Sequence, residues 1–390
     1  MEYNFDEVLN RAGTGCIKYD ARKAYFGNEN IIPMWVADMD FRSPAFISEA
    51  IRNRTEHEVY GYFLKSESYY QSIIDWMNSR HSWKIQKDWI LYAPGVVPAV
   101  NMSVLAYTEP GDKIIIQPPV YFPFFTAIKN HGRQILENPL KENDGRYIMD
   151  YEQLKSIIDD KTKMLILCSP HNPVGRVWKK EELLKLCEIC LKHNIIILSD
   201  EIHADLTFDG FKHFATAGLS EAIAARTVCF IAPSKTFNLA GLASSNLIIP
   251  DKTLRDKYSS YMNNLHVESG NIFGVLATEV AYRHGMDWLN ELISYLQINL
   301  EFLTDFILKN IPQVRVIHPE ATYLVWLDFR QMNLSQKELK EFLIEKAGLG
   351  FNDGTTFGTG GEGYMRINIA CRKSLLIEAL EKLRMAFETR

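Results

Sequence analysis

The middle of the chain alternates short apolar runs with amphipathic stretches of helical period, and that alternation restricts the fold more than any other feature. Apolar runs at 89–93, 113–117, 164–169, 195–199, 227–232 and 247–250 are bounded by turn residues and have strand length. Helices fit between them, for instance 181–193, where Leu183, Leu184, Leu186, Cys187, Cys190 and Leu191 share one face. Strands alternating with helices predict an α/β fold with a mainly parallel central sheet. Beyond 285 the pattern changes to a long amphipathic stretch ending near 310, strand-like 323–329 and 365–370, and a last helix. A chain of 390 residues has room for two domains. The expected division is a large domain over 46–285 and a smaller α+β domain built from 1–45 and 286–390.

Composition removes several function classes. With 43 basic against 48 acidic groups and a net charge of −5, the chain lacks the footprint of a nucleic-acid or anionic-membrane binder. No apolar run approaches the roughly 18 residues that span a bilayer. The opening Met1-Glu2-Tyr3-Asn4-Phe5-Asp6 resembles no targeting peptide, and six cysteines in this length make no disulfide framework. The expectation is a globular cytoplasmic protein with the size and charge balance of an enzyme; composition does not say which.

In open α/β sheets ligands bind beyond the carboxyl ends of the strands, so the loops there are where chemistry is sought. They carry Pro94-Gly95-Val96-Val97-Pro98, Pro118-Pro119-Val120-Tyr121-Phe122-Pro123, Ser169-Pro170-His171-Asn172-Pro173-Val174-Gly175, Ser199-Asp200-Glu201-Ile202-His203 and Pro233-Ser234-Lys235-Thr236-Phe237-Asn238. Arg366 stands inside the apolar run of Met365-Arg366-Ile367-Asn368. Each has an ordinary reading: a turn at Asn-Pro-Val-Gly, a helix cap at Asp200, a solvated Lys235, an outward-facing Arg366. Asn172, Asp200, Lys235 and Arg366 in that order fit one chemistry together. A lysine amine forms a Schiff base with an aldehyde cofactor, of which pyridoxal 5'-phosphate is the common one. A buried carboxylate keeps its ring nitrogen protonated, an asparagine serves its phenolic oxygen, and a helix start at Gly95-Val96-Val97 serves its phosphate. A guanidinium clamps a substrate carboxylate in two-point fashion.

Other motifs are weaker. Asp200-Glu201-Ile202-His203 matches a helicase string but has no upstream phosphate loop. Asp200, Glu201, His203 and Asp205 are too close in sequence to converge on a metal without a third element. Cys187-x-x-Cys190 lies on an expected helix with no second pair at zinc spacing.

The chain resembles the fold-type I pyridoxal-phosphate enzymes, the class I/II aminotransferase superfamily, and within it the MalY/PatB-type C–S β-lyase branch (cystathionine β-lyase, cystalysin-like). The strings that carry the resemblance run almost end to end, from Pro33-Met34-Trp35-Val36-Ala37-Asp38-Met39-Asp40-Phe41 and Tyr60-Gly61-Tyr62 through the loops above to Leu239-Ala240-Gly241. It implies that Lys235 anchors the cofactor and moves protons, that Asp200 pairs with the ring nitrogen, and that Asn172 and His203 lie at the cofactor. It implies Tyr121 stacked on the ring, Val96, Val97 and Ser234 around the phosphate, and Tyr62 reaching that phosphate from the neighbouring subunit of a homodimer with shared sites. Arg366 would bind the amino-acid substrate, with Val36 and Ala37 closing over it. The implied reaction is cleavage of a cysteine S-conjugate such as cystathionine to a thiol, pyruvate and ammonia; the alternative is amino transfer to a 2-oxo acid. A regulator of the same fold would need a DNA-binding module, for which there is no room. His203, Ala243 and Ala232 stand where the wider superfamily has Tyr, Arg and Ser, and Phe122 stands where cystalysin has Tyr.

Overall fold

A computed structural model describes residues 3–389. Its central sheet has seven strands: β1 Ile90–Ala93, β2 Lys113–Ile116, β3 Gln134–Glu137, β4 Thr162–Cys168, β5 Ile196–Asp200, β6 Thr227–Ile231 and β7 Ser245–Ile248. Their spatial order is β1-β7-β6-β5-β4-β2-β3. β2 pairs in parallel with β3 and β4, β4 with β5, and β5 with β6, while β7 runs antiparallel to both β1 and β6. The two reversals cancel, so β1 points the same way as β6. Six strands therefore end at one edge of the sheet, and β7 begins there.

The inner parallel strands are apolar on both faces because both faces are covered. Along β4, Met164, Ile166 and Cys168 pack with Val100, Phe124 and Tyr258, whereas Leu165 and Leu167 point the other way, against Leu183, Leu186 and Cys190. The second set comes from helix Lys180–Lys192, whose first turn is closed by the Glu182 carboxylate accepting the Lys179 N–H at 2.8 Å. The Cys187/Cys190 pair is buried on that helix as core.

A second, antiparallel sheet has the strands β8 Arg315–Ile317, β9 Leu324–Asp328, β10 Asn352–Asp353 and β11 Tyr364–Asn368 in the order β8-β9-β11-β10. Helices Met286–Asn310 and Lys373–Glu388 contribute to the core beside it. The N-terminal segment joins this part of the molecule: Ile32–Pro33 pairs in parallel with Leu349–Gly350, and Asp40 N–H donates to Ala370 at 2.8 Å. Asn368 on β11 donates to the carbonyls of both Val36 and Asp38 at 2.6 Å, which fixes the stretch between them.

Two differences from the sequence expectation have clear causes. β3 carries no apolar run because it is a half-exposed edge strand, Gln-Ile-Leu-Glu. β7 starts at Ser245, earlier than its apolar residues, because Ser245 and Asn246 are buried with polar partners: Ser245 Oγ donates to Ala93, and Asn246 accepts from the Tyr69 hydroxyl. Met1, Glu2 and Arg390, at the ends of the expected small domain, lie outside the described residues. Among the described residues no helix is long and apolar enough to cross a membrane.

Candidate active site

The shared strand edge brings the dispersed loops together. β1 leads into Gly95, whose φ of 128° suits glycine and turns the chain into helix Val96–Tyr107. Tyr121 follows β2, Asn172 follows β4, and Asp200 is the last residue of β5. Lys235 follows β6 in a helical turn, Pro233–Thr236, rather than in the irregular loop expected. Around a cavity of about 210 Å³ stand Ala37, Val96, Val97, Tyr121, Asn172, Asp200, His203, Ser234 and Lys235. Arg366, on β11, reaches the same place by donating to Asn172 Oδ1 at 2.8 Å. Val36 lies next to Ala37, with its carbonyl held by Asn368. Tyr62 is fully exposed and does not reach the cavity of its own chain. A larger cavity, about 590 Å³, runs along the N-terminal segment by Phe5, Arg11 and Arg42, and none of the expected site residues lines it.

The cavity is electrostatically unsatisfied. Asp200 is 3% exposed, and the Ile202 N–H at 3.1 Å is its side chain's hydrogen-bond donor. Burial pushes its carboxyl up to about 7, opposed by that hydrogen bond and by the Lys235 charge. Lys235 donates from Nζ to the Ala37 carbonyl at 2.6 Å. Burial lowers its amine to about 8, with Arg366 acting in the same sense and Asp38 and Asp200 against it. His203 is held neutral, down to about 3, first by burial and then by Lys235 and Arg366, and its Nδ1 has no partner among the described residues. Burial raises the Tyr121 phenol to about 12.

Arg366 is 3% exposed, and its hydrogen-bond partners among the described residues are all neutral. Besides Asn172 it donates to Asn352 Oδ1 at 2.6 Å and to the Trp35 carbonyl at 3.0 Å, lies over the Phe357 ring at 4.9 Å, and leaves Nε unpartnered. Burial brings its guanidinium down to about 10. The outward-facing reading of Arg366 is therefore wrong. A buried cation held only by neutral acceptors is built for an incoming anion.

These features fit pyridoxal phosphate. A buried carboxylate whose side-chain hydrogen bond among the described residues is to a backbone N–H suits a protonated ring nitrogen, and His203 Nδ1 and the Asn172 amide are polar groups at the same wall. The N-terminus of helix Val96–Tyr107 has no side-chain cap and faces the cavity, so its free N–H groups suit a phosphate. The arginine of the wider superfamily is absent here: Ala243, with φ 45°, lines the cavity instead, beside Ser244, whose hydroxyl is bonded to Thr278 at 2.9 Å. The other acidic groups of the Asp200–Asp205 segment, considered above as a metal site, turn away. Glu201 pairs with His213 at 3.0 Å and Asp205 with His81 at 2.8 Å, behind the sheet edge.

Residues 31–383 match the family model for aminotransferase class I and II. The chain belongs to the class I and II aminotransferase family. This family is pyridoxal-phosphate-dependent, and the fold is its fold type I. The chain is 44% identical to cystathionine beta-lyase PatB of Bacillus subtilis over 98% of its own length and 99% of the relative's. It superposes on cystalysin of Treponema denticola, a structure containing pyridoxal 5'-phosphate, with a TM-score of 0.97, 40% identity and full coverage of both chains. It superposes on the pyridoxal-phosphate-bound C–S lyase of Staphylococcus hominis with a TM-score of 0.92 and 32% identity, covering 99% and 98% of the two chains.

Several residues of the site escaped the sequence reading. Asn352 is set opposite Arg366 by strand register, Trp35 offers only its carbonyl, and Cys168 and Ser244 line the wall as strand neighbours. Tyr323, just before β9, places its hydroxyl 3.1 Å from the Ala37 carbonyl. The available signal for Tyr323 and Asn352 was only a polar atom beside an apolar strand.

Proposed function

We propose that this chain works as a C–S β-lyase of its family, cleaving cystathionine or a related cysteine S-conjugate with water to a thiol, pyruvate and ammonia. The observation that carries this reading is the full-length 44% identity to a cystathionine beta-lyase. Pyridoxal phosphate, when bound, supplies the electron sink that stabilises negative charge at the substrate Cα. Lys235 would be its covalent anchor, Asp200 its ring-nitrogen partner, Asn172 and His203 its polar neighbours, and Tyr121 the ring packed against it. Val96, Val97 and Ser234 would hold the phosphate.

The chain's own groups then account for the rest. Arg366 binds and orients the substrate carboxylate, with Val36 and Ala37 over the substrate. Lys235, once free, takes the proton from Cα, and an amine lowered to about 8 is a competent base near neutral pH. The thiolate leaves from Cβ. Tyr62 is exposed together with Val59, Tyr60 and Leu64, an apolar stretch that a second copy of the chain would cover. This supports a homodimer in which Tyr62 serves the partner's phosphate site. The domain division at 46–285 and the cytoplasmic location remain part of the same proposal.

Purified protein given L-cystathionine and no keto acid should release pyruvate, ammonia and homocysteine in equal amounts over many turnovers. A Lys235→Ala variant should not. Turnover that requires a keto acid and liberates no thiol would make the chain an aminotransferase.

A further inference from the structure

We propose that Tyr323 is a positioning residue for Lys235, acting through the Ala37 carbonyl oxygen to which both side chains donate. Lys235 Nζ lies 2.6 Å from that oxygen and the Tyr323 hydroxyl 3.1 Å from it. The inference rests on the reading above that Lys235 is the proton carrier.

Both ends of this arrangement are fixed. The Ala37 carbonyl sits between Val36 and Asp38, whose carbonyls are held by Asn368. Arg11 grips the Asp38 carboxylate at 2.6 and 3.1 Å, and the Asn238 side chain accepts the Met39 N–H at 2.9 Å. Tyr323 is completely buried, edge-on to His203 with ring centroids 6.3 Å apart. It follows Thr322, which adopts φ 74°, an uncommon conformation for a β-branched residue. The Thr322 N–H is tied to the Leu206 carbonyl at 2.7 Å, so the strand enters β9 at a set angle.

Two donors on one oxygen share its electron density, so each is held less strongly than alone. A donating Tyr323 hydroxyl therefore weakens the bond that would otherwise stabilise Lys235 as an ammonium, while keeping the acceptor in place. Of the charged and titratable groups around Lys235, Asp38 and Asp200 favour the ammonium, Arg366 opposes it, His203 is neutral, and burial keeps the Tyr121 phenol protonated. Tyr323 would tip this balance toward the free amine, the form that can accept the Cα proton. Burial keeps its own phenol protonated, so it remains a donor throughout.

The test uses Tyr323→Phe, with Tyr107→Phe as a control that removes another tyrosine hydroxyl–carbonyl bond, to Leu254, at the opposite end of helix Val96–Tyr107 from the cavity. In the cofactor-free protein, competitive reductive methylation read at the Lys235 peptide should be about 3-fold to 10-fold slower near pH 7.5 in Tyr323→Phe than in wild type. In the holoenzyme the acid limb of the kcat profile should move to higher pH with KM little changed. Exchange of the L-alanine α-proton with solvent deuterium should slow in parallel. Site-specific 3,5-difluorotyrosine at 323, a stronger donor, should shift the labelling rate the opposite way; this arm also decides the matter if Tyr323→Phe does not fold. Unchanged labelling in either variant, or equal changes in Tyr107→Phe, would reduce Tyr323 to packing and overturn the proposal. Absence of α-proton exchange in wild type would instead overturn the functional reading on which it rests.

Discussion

Replacing Asp200 by Asn should change how the cofactor-free protein responds to pH. The wild-type carboxyl is raised from 3.8 to about 7 in the folded chain, chiefly by burial. A raised acid binds its proton more tightly when folded. Its contribution is fully present below the unfolded pKa near 3.8 and is lost as pH rises through about 7. Between pH 5 and 8 the folded protein should therefore lose about 3 kcal/mol that Asp200→Asn does not lose, given about 1.36 kcal/mol per pKa unit. For 390 residues the unfolding entropy is about 0.8 kcal/mol/K, so the difference is about 3–4 °C in Tm. The assay is thermal unfolding of both cofactor-free proteins at pH 5 and pH 8, compared as a double difference so that any constant cost of the amide cancels. Identical pH dependence in the two would refute the claim that this carboxylate is strained until a cation reaches it. In the holoenzyme the same variant should lose at least roughly 10-fold to 150-fold in rate, the equivalent of one charge-assisted hydrogen bond of about 1.5–3 kcal/mol.

Three further outcomes follow from the geometry. Arg366→Lys should raise KM about 10-fold or more with the cofactor absorbance unchanged, because an ammonium cannot form the guanidinium's two-point contact; an altered absorbance with unaltered KM would place Arg366 elsewhere. Mixing Tyr62→Ala chains with Asp200→Ala chains should restore about a quarter of wild-type activity, since half the dimers are mixed and each holds one intact site; no recovery after verified exchange would rule out a shared site. Leu165→Ala, in the doubly covered strand β4, should cost about 2–5 kcal/mol in a melting experiment with little change in KM; a loss under about 1 kcal/mol would mean that the core there relaxes around the cavity.

The parallel strands were legible because burial on both faces leaves an uninterrupted apolar run, as in Met164 to Cys168. The edge strand Gln134–Glu137 was not, since half-exposure erases that run, and Ser245 and Asn246 were missed because their burial depends on partners distant in sequence. Lys235, Asp200 and Asn172 could be read from their strand-end loops, and family resemblance supplied roles that spacing alone left open. Tyr323 and Asn352 could not be read in the same way. Their place at the site comes from β-register and from a backbone carbonyl contributed by the N-terminal segment, and neither is encoded in a local pattern.

The central claim is that this one cavity, with Lys235 as its covalent anchor, is the catalytic centre. Borohydride reduction of the holoprotein followed by peptide mapping tests it directly. The pyridoxyl group should appear on the peptide containing Pro233-Ser234-Lys235-Thr236 and on no other lysine. Label on a different lysine, or a reduced protein carrying none, would contradict it.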